Sequence, residues 1–177
     1  MVLGEVAWKS NIIEEFPTPI QLHHYETNCF VIVEEKSSKI RAVKLFDEKI
    51  LDTLPAGKFE SLSKIHKYLF DEIYYFAGEI RYVNIAKGNF RFSPLMYLKP
   101  ALEHIDNMPQ TTYEEIIEKY VEMNVAHPFR EGNGRSTRIW LDLILKKEIG
   151  KVVDWSRVEK EDYLLAMERS PKIIFTM

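Results

Sequence analysis

Apolar and polar positions follow helical spacing over most of the chain. From Phe59, the text FESLSKIHKYLFDEIYYFAG sets Leu62, Ile65, Leu69, Ile73 and Phe76 three and four residues apart. That is one stripe of an amphipathic helix, and Gly78 closes it. His66 falls beside the stripe and reads as a packed core or boundary histidine. Upstream, Ser37 or Ser38 predicts the cap of a helix through Leu45 and Phe46, and Pro55 and Gly57 a loop. Downstream, the period changes in EIRYVNIAKGNFRFSP. Ile80, Tyr82, Phe90 and Phe92 alternate with polar residues around the turn Lys87-Gly88-Asn89, which predicts a β-hairpin ended by Pro94.

Helical patterns resume at 95–107 and 112–127. The second opens with Thr112 and Glu115 at capping-box spacing and turns Ile116, Ile117, Tyr120 and Val121 inward. Pro128 disfavours helical geometry at His127, so this histidine is expected where the helix stops. The next run, Ile139, Trp140, Leu141, Leu143, Ile144 and Leu145, is interrupted only by Asp142. A helix apolar nearly all round is buried, so this one is placed at the domain centre, with Lys146 and Lys147 suiting its C-terminal dipole. A last helix is expected over 156–169, carrying Val158, Tyr163, Leu164 and Met167. Residues 1–36 differ in texture, with Pro17, Pro19, paired His23 and His24, and the strand-like run Cys29 to Val33. They read as a partly extended N-terminal extension. The expected fold is mainly α: a helical bundle around a buried central helix, with a small β-hairpin, over 37–169, and a short tail at 170–177.

Composition narrows the function classes. At 177 residues and 46% hydrophobic content, the chain can bury one good core. A net charge of −3 gives no overall basic field for nucleic acid or anionic membrane. No apolar run is long enough to span a bilayer, and MVLGEVAWKS lacks the basic and apolar regions of a signal peptide. The single cysteine, Cys29, excludes an intrachain disulfide and fits a reducing cytoplasm. Its apolar setting, NCFVIV, reads as structural. His23 and His24 lack a third partner at metal-ligand spacing and read as surface residues.

The chemistry concentrates in His127 to Arg138, HPFREGNGRSTR, which feeds the N-terminus of the buried helix. Helix N-termini present unpaired N–H groups and partial positive charge, an anion site. Gly132 and Gly134 let backbone approach phosphate oxygens, and Asn133 between them tolerates left-handed geometry and can donate an amide hydrogen. Arg135 and Arg138, three residues apart, share a helical face and could hold two successive phosphates. Glu131 is a hard oxygen ligand suited to Mg²⁺ bridging phosphates. His127 has the chemistry to take a proton from a hydroxyl near neutral pH. A plain reading stands beside this one: a Gly-Asn-Gly turn, an Arg138–Asp142 pair and a histidine C-cap. The chain has no GxxxxGK[ST], no GxGxxG after a strand, and no HExxH partner for a zinc hydrolase.

The twelve residues from His127 to Arg138 resemble the HxFx(D/E)GNGRxxR signature of Fic-domain proteins, with all eight specified positions filled. EIRYVNIAKGNFRF resembles that family's flap, and the likeness covers roughly residues 37–169. The resemblance implies a protein adenylyltransferase that moves AMP from ATP to a Ser, Thr or Tyr hydroxyl of a target protein and releases pyrophosphate. His127 would be the base and Glu131 the Mg²⁺ ligand. The segment Gly132, Asn133, Gly134, Arg135, Ser136, Thr137 and Arg138 would bind the phosphates, Arg135 taking the β- and Arg138 the γ-phosphate. Phe129 would be structural. The flap residues Asn84, Ile85, Lys87, Gly88 and Phe90 would dock an extended target segment by strand pairing. Lys87, Asn124, Lys160, Asp162 and Tyr163 would line the adenosine pocket.

Many members of that family carry an inhibitory [S/T]xxxE[G/N] helix, whose glutamate pairs with the residue matching Arg138. No segment here satisfies it, and Ser10 to Glu15 comes nearest, with the wrong last residue. Three arrangements follow: a separate inhibitory protein, Glu14 acting through an imperfect motif, or a form without the restraint, which is the one expected. Transfer of another phosphate-containing group, self-modification, and a non-catalytic nucleotide-binding interaction module stand as alternatives. Gly134 and Arg138 favour the ATP α-phosphate orientation, and His127 with Glu131 favours turnover. The sequence leaves open whether the protein stays in its own cell or is delivered to another.

Overall fold

The computed structural model describes residues 25–87, 90–159, 161–162 and 165–166, with side chains from Glu34 onward. Its first element, α1 (Tyr25–Asp47), already corrects the sequence reading, because the strand-like run Cys29 to Val33 lies inside this helix. β-Branched residues tolerate a helix when their neighbours continue it, and strand propensity is a weak prior beside tertiary context. Nor does the helix begin at Ser37 or Ser38. Ser38 is buried within it, and its hydroxyl donates back to Glu35 O at 3.1 Å. Residues 1–24 of the 1–36 extension, His23 and His24 among them, lie outside the described residues, as does the Ser10 to Glu15 near-match.

After a 3₁₀ turn at Ile50–Thr53, the predicted amphipathic helix forms as α2 (Phe59–Phe70), with Leu62, Ile65 and Leu69 buried. It ends earlier than its apolar stripe suggests. Ile73 and Phe76 lie in turns closed by Ile73 N–H and Tyr74 N–H donating to Phe70 O, both under 3.0 Å. These turns bring Gly78, at φ +81°, back to His66, whose Nδ1 accepts the Gly78 N–H at 2.8 Å.

The hairpin is shorter than the alternation predicts. Its strands are β1 (Ala86–Lys87) and β2 (Phe90–Arg91), antiparallel, with Ala86 opposite Arg91 and Lys87 opposite Phe90. Ile80 and Tyr82 lie outside the ladder, because Arg81 between them is drawn into the interior.

Then follow α3 (Leu95–Asn107), α4 (Tyr113–Ala126) and α5 (Asn133–Ile149). The capping box forms as predicted, Thr112 Oγ1 accepting from Glu115 N–H and Glu115 from Thr112 N–H. Ile116 and Tyr120 are buried, Ile117 and Val121 half-buried. Helix α5 is the central element, packed against α2 and α4, while α1 covers α2 and α3 covers α4. Ile139 to Leu145 are all buried, Asp142 included. That carboxylate accepts from Val153 N–H at 3.0 Å and Trp155 Nε1–H at 2.8 Å, which offsets its desolvation. In the last turn, Lys147 Nζ donates to Leu54 O at 2.5 Å, tying the helix end to the 3₁₀ turn. The expected last helix is seen in part: a 3₁₀ turn at Trp155–Arg157 precedes helical residues 161, 162, 165 and 166, while Tyr163, Leu164 and Met167 lie outside the described residues. Among the described residues no helix is long and apolar enough to cross a membrane.

Candidate active site

The loop between α4 and α5 is built on three locked features. His127 is the C-cap of α4 and takes the left-handed conformation, φ 49° and ψ 64°, which few residues other than glycine adopt. Pro128, next in sequence, disfavours the right-handed alternative. Phe129 is fully buried, and its backbone is held on both sides by Asn133: Phe129 N–H donates to Asn133 Oδ1 at 2.9 Å, and Asn133 Nδ2 donates to Phe129 O at 2.8 Å. Gly132 then turns the chain into α5 at φ +76°, against the Phe70 ring, which a Cβ would approach to 2.5 Å.

His66 fixes the remaining peptide. Its Nδ1 accepts from Gly78, so the proton sits on Nε2, which donates to Glu131 O at 2.8 Å. Its ring stacks on Phe129, centroids 3.8 Å apart. Burial holds its pKa down at about 4, so the neutral form with this single tautomer persists through neutral pH. The expected core histidine is therefore also a brace of the loop. Glu131 is turned out, its side chain exposed at the loop surface.

His127 has one ring nitrogen engaged. Nδ1 lies 3.3 Å from Asn124 O, a carbonyl that can only accept, so Nδ1 carries the proton and Nε2 presents a lone pair. Burial lowers its pKa to about 4, against the Asn124 hydrogen bond, with the positive charges of Arg81 and Lys87 adding to the lowering. The imidazole is thus an unprotonated acceptor at neutral pH. Phe92 stacks on it, centroids 3.6 Å apart.

Helix α5 begins with no side-chain cap, and the N–H groups of a first turn have no intrahelical acceptor. Gly134 has nothing within 4 Å of where a Cβ would stand, so the first turn faces open space there. The predicted phosphate-binding residues part company at this point. Ser136 and Thr137 are fully buried: Ser136 Oγ donates to Gly132 O at 2.9 Å and Thr137 Oγ1 to Asn133 O at 2.8 Å. Their hydroxyls donate to helix carbonyls. The Asn133 side-chain amide is likewise spent on Phe129. Arg138 lies along the helix, Nε donating to Gly134 O at 3.2 Å and its guanidinium 5.5 Å from the Trp155 ring. Arg135 points elsewhere. It stands 4.9 Å over the Phe70 ring, donates to Ser38 Oγ at 2.7 Å and forms a close ion pair with Glu34 of α1. Tyr74, held above its usual pKa by burial first and then by the Glu34 carboxylate, hydrogen-bonds the same glutamate.

Among the other predicted positions, Lys87 lies exposed on β1 and near enough to His127 to bear on its protonation. Asn124 is half-buried beneath His127, its Nδ2 donating to Tyr120 O at 2.8 Å. Asn84 is committed to α3, its Oδ1 accepting Leu95 N–H at 2.8 Å. Phe92 N–H reaches Ile85 O at 3.4 Å across the hairpin, and Phe90 is half-buried. Asp162 is exposed and helical; Gly88, Lys160 and Tyr163 lie outside the described residues. Sequence reasoning passed over Glu34, Arg81 and an exposed cluster beside the loop. In that cluster, Arg130 Nη1 donates to the hydroxyls of Tyr75 at 3.1 Å and Tyr82 at 2.8 Å. No sequence period marks these three, which come from separate turns. Among the described residues no group of three or more His, Cys, Asp or Glu side chains stands ready for a metal. A divalent ion would depend on Glu131 together with phosphate oxygens of a ligand, the usual Mg²⁺ arrangement.

Comparison with known proteins places this geometry. Residues 58–145 match the model of the Fic/DOC family. The protein adenylyltransferase VbhT of Bartonella schoenbuchensis is 34% identical over 145 residues, 73% of this chain and 29% of VbhT. The probable protein adenylyltransferase y4lH of Sinorhizobium fredii is 30% identical over 140 residues, 71% of this chain and 72% of y4lH. The chain therefore spans less than a third of one relative and most of the other. Among solved structures, BepC of Bartonella tribocorum, a VirB-translocated effector crystallised with bound AMPPNP, superposes with a TM-score of 0.65. The match covers 88% of this chain and 86% of BepC at 19% identity, a likeness of fold.

Proposed function

Because the chain belongs to the Fic/DOC family, we propose that it is a protein adenylyltransferase, moving AMP from ATP to a hydroxyl side chain of a target protein. One observation carries the reading: a single short loop, residues 128–132, joins His127, whose Nε2 is unprotonated, to the uncapped N-terminus of α5, where Gly134 leaves room for phosphate. A base and an anion site side by side are what hydroxyl attack on a phosphoryl group requires.

His127 Nε2 takes the proton of a Ser, Thr or Tyr hydroxyl as its oxygen bonds to the α-phosphorus. The bond from that phosphorus to the bridging oxygen breaks, and pyrophosphate leaves. The N–H groups of the α5 first turn hold the charge that builds on the phosphate oxygens. Arg138 takes the γ-phosphate, and Arg135 the β-phosphate once a phosphate oxygen replaces Glu34 on its guanidinium. Glu131, fixed through its carbonyl by His66, would hold Mg²⁺, and the ion would supply neutralisation of phosphate charge. The exposed β1 edge at Ala86 and Lys87 aligns an extended target segment by main-chain pairing. Lys87 and Asn124, with Lys160, Asp162 and Tyr163, form the adenosine side.

Parallel incubations with α-labelled and γ-labelled ATP test this. Adenylyl transfer puts only the α-label on protein. Protein-bound γ-label would make the enzyme a phosphoryl transferase, and ATP binding with neither label would make it a binding module.

A further inference from the structure

Arg81 is a charged side chain only 2% exposed. No carboxylate pairs with it among the described residues; every hydrogen bond described for its guanidinium goes to a backbone carbonyl. Nε donates to His127 O at 2.8 Å and Nη1 to Val83 O at 2.7 Å. Nη2 donates to Ser93 O at 2.5 Å and Ala126 O at 3.2 Å. Its own N–H donates to Pro128 O at 2.8 Å. Burying a cation is costly, and here the last carbonyls of α4, the negative end of that helix, offset the cost.

These acceptors fall into two groups that nothing in the sequence joins. Val83 and Ser93 are the two roots of the hairpin, one before β1 and one after β2. Ala126, His127 and Pro128 are the end of α4 and the left-handed turn that aims the imidazole. A left-handed non-glycine residue persists only where its surroundings hold it. Ser93 also follows Phe92, whose ring lies on His127, and Ser93 N–H donates to Val125 O at 3.0 Å. One guanidinium thus fixes the hairpin to the imidazole from both sides.

We infer that Arg81 is a positioning residue that makes the hairpin and the His127 turn one rigid unit, so that a hydroxyl docked on the hairpin meets Nε2 at hydrogen-bond distance. The inference rests on the adenylyl-transfer reading for its effect on rate, and on geometry alone for the rigid unit. Proton transfer needs heavy atoms within about 3 Å, and a displacement of about 1 Å can cost roughly a hundredfold in rate. ATP binding is separate, because no hydrogen bond described for Arg81 reaches the α5 first turn.

The test uses Arg81→Lys, with Arg81→Gln as the second variant and Leu102→Ala, in the core between α3 and α4, as a control for lost stability. Protein-bound label from α-labelled ATP is measured in one fixed lysate beside ATP affinity, and amide exchange is followed at Phe92, Ser93 and His127, whose N–H groups donate to Ile85 O, Val125 O and Met123 O. The expected result is transfer reduced at least tenfold in Arg81→Lys, with ATP affinity within about threefold of wild type. The control keeps its rate at saturating ATP. In wild type the three amides open with one common free energy, and in Arg81→Lys they open separately. Loss of rate in step with ATP affinity, or no greater than in the control, would overturn the rate effect. Independent opening of hairpin and His127 amides in wild type would overturn the rigid unit, and needs no variant to fold. A wild type that transfers no label at all would instead sink the adenylyl-transfer reading, leaving the exchange result to decide on Arg81.

Discussion

The ring of Phe92 lies flat on the imidazole of His127, centroids 3.6 Å apart and planes 17° apart. The stack shields one face of the base from water and fixes its plane, while Asn124 O fixes its tautomer. Burial is the leading reason that the His127 pKa stands at about 4. The rate at limiting ATP is therefore expected to stay level from neutrality downward and to fall only as pH drops through about 4. Phe92→Ala admits water, lifts the pKa toward its ordinary value near 6.5, and moves the acid limb up with it. Paired pH–rate profiles check this; coincident limbs would remove Phe92 from the account. Stability carries the same sign. With the folded pKa below the unfolded one, His127 contributes up to roughly 3 kcal/mol above pH 6.5, lost as pH falls toward 4.

The two loop glycines are expected to respond oppositely. Gly132 sits at φ +76° against Phe70, so Gly132→Ala combines backbone strain with a clash and should lower the melting temperature. Gly134 has ordinary helical geometry and open space, so Gly134→Ala should leave stability unchanged or raised by up to about 1 kcal/mol. If phosphate lies there, the added methyl weakens ATP binding at least tenfold. Thermal melts and ATP titrations separate the two effects. A Gly134→Ala protein that binds ATP normally would place the phosphates elsewhere.

Glu34 holds the guanidinium that the mechanism assigns to the β-phosphate. Phosphate must then displace a carboxylate braced by Tyr74. Glu34→Gln weakens that competitor without emptying the space, so ATP affinity should rise severalfold, and more at low salt than at high. Calorimetric titration reads it directly. Weaker binding in Glu34→Gln would mean that Glu34 orients Arg135 for the phosphate.

Asn133 uses both ends of its amide on the backbone of one residue, Phe129. Asn133→Ala leaves the buried Phe129 N–H and C=O without their partner and should cost roughly 2–4 kcal/mol. Denaturant unfolding measures this. A loss below about 1 kcal/mol would show the loop holding its shape by other means.

The legible part of this molecule was the part written in local patterns. The capping box at Thr112, the stop at His127 before Pro128 and the buried run from Ile139 follow from neighbours in sequence, and they place the loop. The illegible part depends on residues far apart. The run from Cys29 to Val33 has strand composition, yet it sits in α1, whose downstream turns lie along α2. Ser136 and Thr137 belong to the motif, but the i−4 carbonyls of their own helix take their hydroxyls. Glu34 and Arg135 are about a hundred positions apart. Arg81 sits in a stretch whose alternation would put it on a solvent face, and only the fold shows five carbonyls converging on it.

The most direct test of the account is transfer of label from α-labelled ATP in wild type and His127→Ala, with ATP affinity measured on both. The account predicts transfer in wild type, its loss by a factor of at least a hundred in His127→Ala, and ATP affinity within about threefold in the variant. Undiminished transfer in His127→Ala would contradict it, because a base other than His127 would then have to take the hydroxyl proton.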